Sequence, residues 1–292
     1  MGNLQSTVCV VMPVYNGAKT IMLAIKSLLY QTYPNWNCVI VNDGSKDNTK
    51  KILDTITDKR FRIIHLDKNR GRGFARQVAL ENAEGDYLTY LDADDFYHPE
   101  KIKQQVNILD KFNKVYLTSC GQGSFDNKDK LRTVRGVRYA GLHDFMCGDE
   151  VKFVPVTSMI RLSSALDIRY NDKLNASEDV DYFSAYLDNR TYYILDTIMY
   201  YYYEYESLSY LKTLEYAFNS LKRIYYSHSK IKLNLFLKQF INTAFKLVVY
   251  AILYPFLGKD FFIKRRGKMA LKSDVSMFND CLNQLNNMKI QG

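Results

Sequence analysis

The chain has 292 residues, 47% hydrophobic and 24% charged, which is enough apolar material for one large domain or a domain with an appendage, and excludes a disordered or fibrous polypeptide. Its five cysteines (Cys9, Cys38, Cys120, Cys147, Cys281) are odd in number and lack Cys-x-x-Cys spacing, which argues against a disulfide framework or a zinc site and for a reducing, cytoplasmic compartment. The net charge of +9 is uneven: residues 210–292 carry 14 basic and four acidic side chains, whereas residues 1–209 carry 26 and 27. Such asymmetry points to an electrostatic partner for the C-terminal part.

In chain order, Val8 to Met12 is a continuous apolar run closed by Pro13, and Ala18 to Tyr30 has helical spacing through Ile21, Ala24, Ile25, Leu28 and Leu29. No signal peptide precedes them, and the short acylation-like pattern Met1 to Ser6 is too permissive to carry weight. Cys38 to Val41 is a second strand ending in the turn Asn42-Asp43-Gly44-Ser45, followed by a helix from Lys50 to Ile56. Arg62 to Leu66 reads as a third strand, Phe74 to Asn82 as a helix, and Tyr87 to Leu91 as a fourth strand running into Asp92-Ala93-Asp94-Asp95. This alternation predicts an α/β fold, a mostly parallel sheet with helices on both faces. Ligands bind beyond the carboxyl ends of such strands, so the polar strand ends at 13–16, 42–45 and 92–95 are expected to share one edge and one site.

Beyond Tyr116 the pattern is irregular, with a basic stretch through Lys128, Lys130, Arg132, Arg135 and Arg138. A helix from Glu178 to Leu187 and a strand from Tyr192 to Tyr203 follow, and helices from Leu208 onward. The 24 tyrosines and 16 phenylalanines, against one tryptophan, read chiefly as packing.

Two carboxylates one residue apart at a strand end suit a hard divalent cation, Mg²⁺ or Mn²⁺, which keeps positions free for phosphate oxygens. Three crowded carboxylates also call for a metal or a basic partner. Gly71-Arg72-Gly73-Phe74-Ala75-Arg76 imitates a dinucleotide fingerprint, but Arg76 replaces its third glycine and it follows the third strand rather than the first, which excludes that reading.

Val11-Met12-Pro13-Val14-Tyr15-Asn16, Val41-Asn42-Asp43-Gly44-Ser45 and Leu91-Asp92-Ala93-Asp94-Asp95, in this order, closely resemble the signatures of family 2 glycosyltransferases with the GT-A fold. Asn69-Arg70-Gly71 and Ala75-Arg76 also match, with Gln77 where asparagine is more usual. The resemblance is strong over 7–110, traceable to about 210, and absent beyond. It implies a GT-A catalytic domain at 1–210, with a nucleotide-sugar half at 7–110 and an acceptor half at 111–210, then a basic helical region at 211–292. It further implies that Pro13, Val14 and Tyr15 line the base pocket, Asp43 accepts a hydrogen bond from the base (usually uracil), Arg76 fixes the nucleotide, Asp92 with Ala93 stands at the ribose, and Asp94 ligates the metal. Ser177-Glu178-Asp179 resembles the family's acceptor-side element, which makes Asp179 the base and Glu178 an acceptor contact or a supporting carboxylate. A Ser N-cap with acids in the first helical turn would leave the same sequence trace. The implied reaction is inverting transfer from a nucleotide-sugar, typically a UDP-sugar, to a glycan or lipid-linked acceptor in surface-polysaccharide synthesis.

One departure stands out. Relatives carry Arg and His near Tyr201–Ser209, and this chain has neither there, so the Arg132–Arg138 stretch is the expected substitute. The apolar stretch Phe240–Leu257 is interrupted by Asn242 and Lys246, broken by Pro255, and followed by Lys259, Lys264, Arg265, Arg266 and Lys268. It is short for a spanning helix and reads either as an interfacial attachment to the anionic inner face of the cell membrane or as a buried core helix. No nucleic-acid module is present. Two other functions stay open: a non-catalytic nucleotide-sugar-binding or assembly protein, and a nucleotidylyltransferase, which would need a Gly-rich basic loop after the first strand.

Overall fold

The structure, a computed structural model, describes residues 5–146, 148–171, 173–174, 177–204, 209–226 and 232–289. Cys147, the acylation-like start, residues 205–208 of the Tyr201–Ser209 stretch and the side chains of Lys259, Lys264 and Arg266 lie outside the described set.

β1 (Val8–Val14) is buried along its whole length. Its even residues Val8, Val10, Met12 and Val14 pack with Ile21, Ala24, Ile25 and Leu28 of α1 (Ile21–Leu29). Its odd residues Cys9 and Val11 meet Ala75, Ala79 and Leu80 of α3 (Arg72–Glu81) on the other face. An unbroken apolar run, rather than an alternating one, is what a strand covered on both faces requires.

β2 (Trp36–Asn42), α2 (Thr49–Leu53), β3 (Phe61–His65) and β4 (Tyr87–Tyr90) complete the first half. β3, β2, β1 and β4 lie side by side and all parallel, so the carboxyl ends of β1, β2 and β4 open onto one edge. From there outward the sheet is mixed rather than mostly parallel. β9 (Met159–Arg161) runs antiparallel between β4 and β6 (Val115–Phe125), and β7 (Leu131–Arg135) returns from β6 as a hairpin. The short turn between β6 and β7 permits only antiparallel pairing, because a parallel neighbour needs a long crossover.

β10 (Arg190–Tyr203) runs parallel to β6 and antiparallel to β5 (Phe96–Tyr97) and β8 (Gly141–Phe145). α4 (Lys101–Lys111) adds Ile102, Val106 and Leu109 to the α1 side, and α5 (Glu178–Leu187) adds Tyr182, Phe183, Tyr186 and Leu187 to the α3 side. Ser177 does not cap α5 through its side chain. It adopts φ +64 and its hydroxyl lies 3.1 Å from that of Ser220, so capping does not explain this serine.

The C-terminal part comprises α6 (Tyr210–Tyr226), α7 (Leu233–Arg266), β11 (Lys268–Met269) and α8 (Lys272–Asn287). Pro255 does not end α7. It has no N–H for the Ala251 carbonyl, and the Tyr210 hydroxyl donates to that oxygen instead at 3.3 Å. The kink comes at Gly258, with φ +68. Leu233–Gly258 is a 26-residue helical stretch whose most apolar 18-residue window has mean hydropathy 1.6, long and apolar enough to cross a membrane by length and composition, and only 6% of that window is buried. The buried-core reading of this helix is therefore overturned, as is the expectation that it is too short. β11 pairs with β7, and α8 packs Phe278, Cys281, Leu282 and Leu285 onto Phe96, Phe125, Leu131 and Tyr201.

Candidate active site

The turns after β1 and β2 are stitched to each other. The Asn16 N–H donates to Ser45 Oγ at 2.9 Å, and the Lys46 N–H donates to Asn16 Oδ1 at 2.8 Å. Gly44 adopts φ +65, and a Cβ there would stand 2.4 Å from the Lys68 carbonyl carbon, so only glycine lets the 68–71 loop close over this turn. Together these turns wall a cavity lined by Tyr15, Ser45, Lys46, Lys50, Lys68 and Asn69. Tyr15 is 44% exposed at its lip, while Pro13 and Val14 are buried in the strand behind it. A second cavity, between His98 and Asp280, has no lysine or arginine in its wall and lies off the strand ends, so anion chemistry favours the first.

Asp43 is buried, and its two carboxylate oxygens accept the backbone N–H groups of Arg70 (2.8 Å) and Gly71 (2.9 Å). The side chain expected at the base thus anchors the loop leading into α3, and each oxygen retains a second lone pair. Ala93 is buried beside Gly17 and stacks the acidic turn against the end of β1.

The acidic turn splits three ways. Asp95 faces inward, accepting from the Tyr200 hydroxyl at 2.6 Å and the Tyr203 N–H at 2.8 Å. Burial pushes its carboxyl well above the usual range, and the charges of Asp94 and Asp92 push it further. The Tyr200 hydroxyl also accepts the Asp92 N–H at 3.2 Å, which ties the turn to β10. Asp92 lies 3.0 Å from Arg76 Nη2; burial works to raise its pKa, but the charges of Arg76 and Arg72 prevail and hold it below its ordinary value. Asp94 is the exposed member of the turn.

Arg76 does not reach outward to a nucleotide. Its side chain is 4% exposed, and its Nη1 lies 2.9 Å from Glu178 Oε1, at the start of α5. One guanidinium thereby joins the turn after β4 to the element carrying Asp179. Glu178 is buried, which raises its pKa, with Arg76 opposing and Asp179 adding to the rise. Its carboxylate faces Arg76, so it stands behind Asp179. Asp179 is half-buried and accepts the Val180 N–H at 2.7 Å.

The crowding expected of three carboxylates is thus relieved by Arg76 and by turning Asp95 inward. Among the described residues, no three acidic, histidine or cysteine side chains converge on one ion position. One exposed carboxylate fits a Mg²⁺ or Mn²⁺ that arrives with a diphosphate, because such ions commonly use one or two carboxylates plus phosphate oxygens and water. Of the expected substitute arginines, Arg135 does reach the Tyr201–Ser209 stretch, where its charge is taken up by Glu204, and the other two bond outside it. Arg132 bonds Asp126 at 2.7 Å, Arg138 contacts Tyr139, and Arg135 bonds Ser124 at 3.1 Å and Glu204 at 3.4 Å.

A sheet whose parallel strand ends carry a basic cavity beside an acidic turn defines a GT-A nucleotide-sugar fold. The chain belongs to glycosyl transferase family 2, whose family model matches residues 9–168. It is 43% identical over 123 residues to an uncharacterized glycosyltransferase of Rickettsia typhi, covering 41% of this chain and 38% of that protein. It is 36% identical over 111 residues to the UDP-Glc:alpha-D-GlcNAc-diphosphoundecaprenol beta-1,3-glucosyltransferase WfgD of Escherichia coli, covering 38% and 44% respectively. The matched segments thus span less than half the length of these relatives. Among solved structures, S. aureus TarS 1-349 in complex with UDP is similar in fold, with a TM-score of 0.65 at 21% identity, covering 89% of this chain and 78% of that one.

Proposed function

We propose that the protein is an inverting, metal-dependent glycosyltransferase that moves a sugar from a UDP-sugar to a glycan or lipid-linked acceptor in surface-polysaccharide synthesis. The observation that carries this reading is the Asp92–Arg76–Glu178 bridge, which holds the donor-side turn and the acceptor-side helix in one site. The UDP held by TarS supports a uridine donor, and the diphosphoundecaprenol acceptor in WfgD's name supports a lipid-linked one.

Tyr15, with Pro13 and Val14 behind it, receives the base; Asp43 fixes the loop over it; Asp92 and Ala93 stand at the ribose. Asp94 would hold a divalent cation together with the donor's phosphate oxygens, and that ion would supply charge compensation for the leaving diphosphate. Asp179 takes the proton of the acceptor hydroxyl at its carboxylate. The hydroxyl oxygen then forms the new bond to the anomeric carbon as the bond to the diphosphate breaks, with inversion. Glu178 and Arg76 keep α5 in register with the acidic turn.

Two variants test this. Asp179→Asn is expected to abolish transfer from UDP-sugars while leaving UDP affinity near wild type; Asp94→Ala is expected to lose transfer and to weaken Mn²⁺-dependent UDP binding. Full transfer by Asp179→Asn would remove the proposed base, and UDP-sugar binding without turnover on any acceptor would favour the assembly-protein reading.

The exposed face of α7 favours a second role, attachment to the inner face of the cell membrane. Phe245, Val248, Ile252 and Phe256 are more than half exposed, and the basic C-terminal charge suits an anionic leaflet. Phe245→Glu with Ile252→Glu should abolish sedimentation with vesicles containing anionic lipid. Unchanged sedimentation would refute attachment through this face.

A further inference from the structure

A diphosphate entering this site meets Asp92 and Asp94 at the strand ends, with Glu178 and Asp179 across from them. The cavity lysines Lys46, Lys50 and Lys68 stand at the β2 and β3 ends of the site, so a cation beside Asp92 itself is still needed to complement a single divalent ion there. Arg76 is already shared between two carboxylates, Arg132 and Arg138 are held within their own hairpin, and Arg135 is paired with Glu204 just beyond β10.

Arg72 is placed differently. It is the first residue of α3, one turn before Arg76, and positions four apart share a helix face. The adjacent Gly73 faces α5, with Glu178 Cγ 3.7 Å from the place its Cβ would take. Arg72 is therefore on the face that carries the Asp92–Arg76–Glu178 bridge, one turn nearer the helix start. It is exposed and, among the described residues, has no hydrogen-bond or ion-pair partner. Asp92 is the charge that acts on it most strongly, with Glu178 and Tyr202 also in range.

We propose that Arg72 is a donor-phosphate-binding residue, its guanidinium forking onto the diphosphate beside Asp92. It fills the place left by the cations missing from Tyr201–Ser209. A planar fork of donors matches phosphate oxygens bidentately, which a lysine cannot do. The assignment rests on the nucleotide-sugar reading of the site and adds the residue that recognises the phosphates.

The test is calorimetric titration of wild type, Arg72→Ala, Arg72→Gln and Arg72→Lys with nucleoside, monophosphate and diphosphate of uridine and, in parallel, guanosine, all in Mn²⁺. The apo variants should stay folded, with a small drop in melting temperature from the lost charge beside Asp92, so affinities are compared at a temperature where every variant is folded. Arg72→Ala and Arg72→Gln should lose about tenfold or more in affinity for the diphosphate, with nucleoside binding unchanged, and Arg72→Lys should recover part of the loss. Diphosphate binding as tight as wild type in Arg72→Ala, or an equal loss for the nucleoside, overturns the assignment alone. A wild-type protein that binds neither diphosphate overturns the nucleotide-sugar reading as well.

Discussion

Replacing Arg76 by methionine tests the central bridge most directly. The change keeps the apolar stem and removes a guanidinium that is 4% exposed, leaving Glu178 (4% exposed) and Asp92 (17% exposed) without their ion-pair partner and with only the more distant charge of Arg72. Removing one partner of a buried ion pair costs about 3–5 kcal/mol, because the remaining charge stays buried. For a chain of this size that corresponds to a fall in Tm of about 6–15 °C. The pH dependence follows from the sign of each shift. With Arg76 present, Asp92 is held below its ordinary value, so its contribution is present at neutral pH and is lost only as pH falls through that lowered value. Without Arg76, both carboxyls are raised by burial, the folded state binds more protons than the unfolded one, and stability recovers on acidification. The deficit relative to wild type should therefore be largest at pH 7 and should shrink by pH 5, as read by circular-dichroism melts. Arg76→Lys should not restore transferase activity, since one ammonium cannot span both carboxylates. A deficit below about 1 kcal/mol at pH 7, or one that does not change with pH, would show that the bridge does not hold the site together.

Lys101 is fully buried, donating to Thr89 Oγ1 at 2.9 Å and Gln105 Oε1 at 2.7 Å, and burial pulls its pKa down to about 8. The unfolded chain then binds more protons between that value and the ordinary one, so stability from this group rises with pH; wild type should gain about 2 kcal/mol on Lys101→Met between pH 7.5 and 9.5 in urea titrations, and parallel profiles would refute this. Tyr200→Phe removes the hydroxyl joining Asp95 to the Asp92 N–H and should lower stability by about 1–3 kcal/mol and reduce kcat in a transfer assay; an unchanged kcat would show that this link does not position Asp92. Gly44→Ala forces a positive φ and a backbone contact at 2.4 Å, and should cost at least about 2 kcal/mol and weaken UDP binding, whereas a near-neutral melt would mean that the 68–71 loop yields freely.

The donor half is legible in the sequence because its signals are local. Continuous apolar runs in β1, β2 and β4 specify strands covered on both faces, and each runs directly into its own polar turn. Parallel pairing then carries those turns to one edge, as expected. The partner of Arg76 is not legible, since Glu178 is 102 residues away and nothing local marks the pair. The direction of Asp95 is hidden for a related reason. Asp94 and Asp95 are alike as residues, and the register of β10 against β5 brings Tyr200 and Tyr203 to one of them and not the other. Arg72 is masked in the sequence by a motif that imitates a dinucleotide fingerprint, although its four-residue spacing from Arg76 already puts both on one helix face. For α7, composition alone leaves a buried helix and a surface helix equal, and only the tertiary packing separates them.

The same packing alters how residues 211–292 are to be divided from the rest. They differ from the preceding chain in charge and in helix content, yet β11 extends the sheet at β7 and α8 covers Phe96 and Tyr201, the residues flanking the acidic turn and β10. α6 also braces α5: Ser220 Oγ is 3.1 Å from Ser177 Oγ, and burial lowers the pKa of Arg223 against the pull of Asp181, Tyr216 and Asp179. A truncation near residue 235 would leave α6 but remove α8 and β11, exposing the Phe96–Phe125–Tyr201 cluster to water. Its loss of vesicle binding or activity would then report a damaged core rather than a missing membrane contact. Substitutions confined to the exposed face of α7, such as Phe245→Glu with Ile252→Glu, leave α8 and β11 in place. They separate attachment from folding because neither side chain belongs to that cluster.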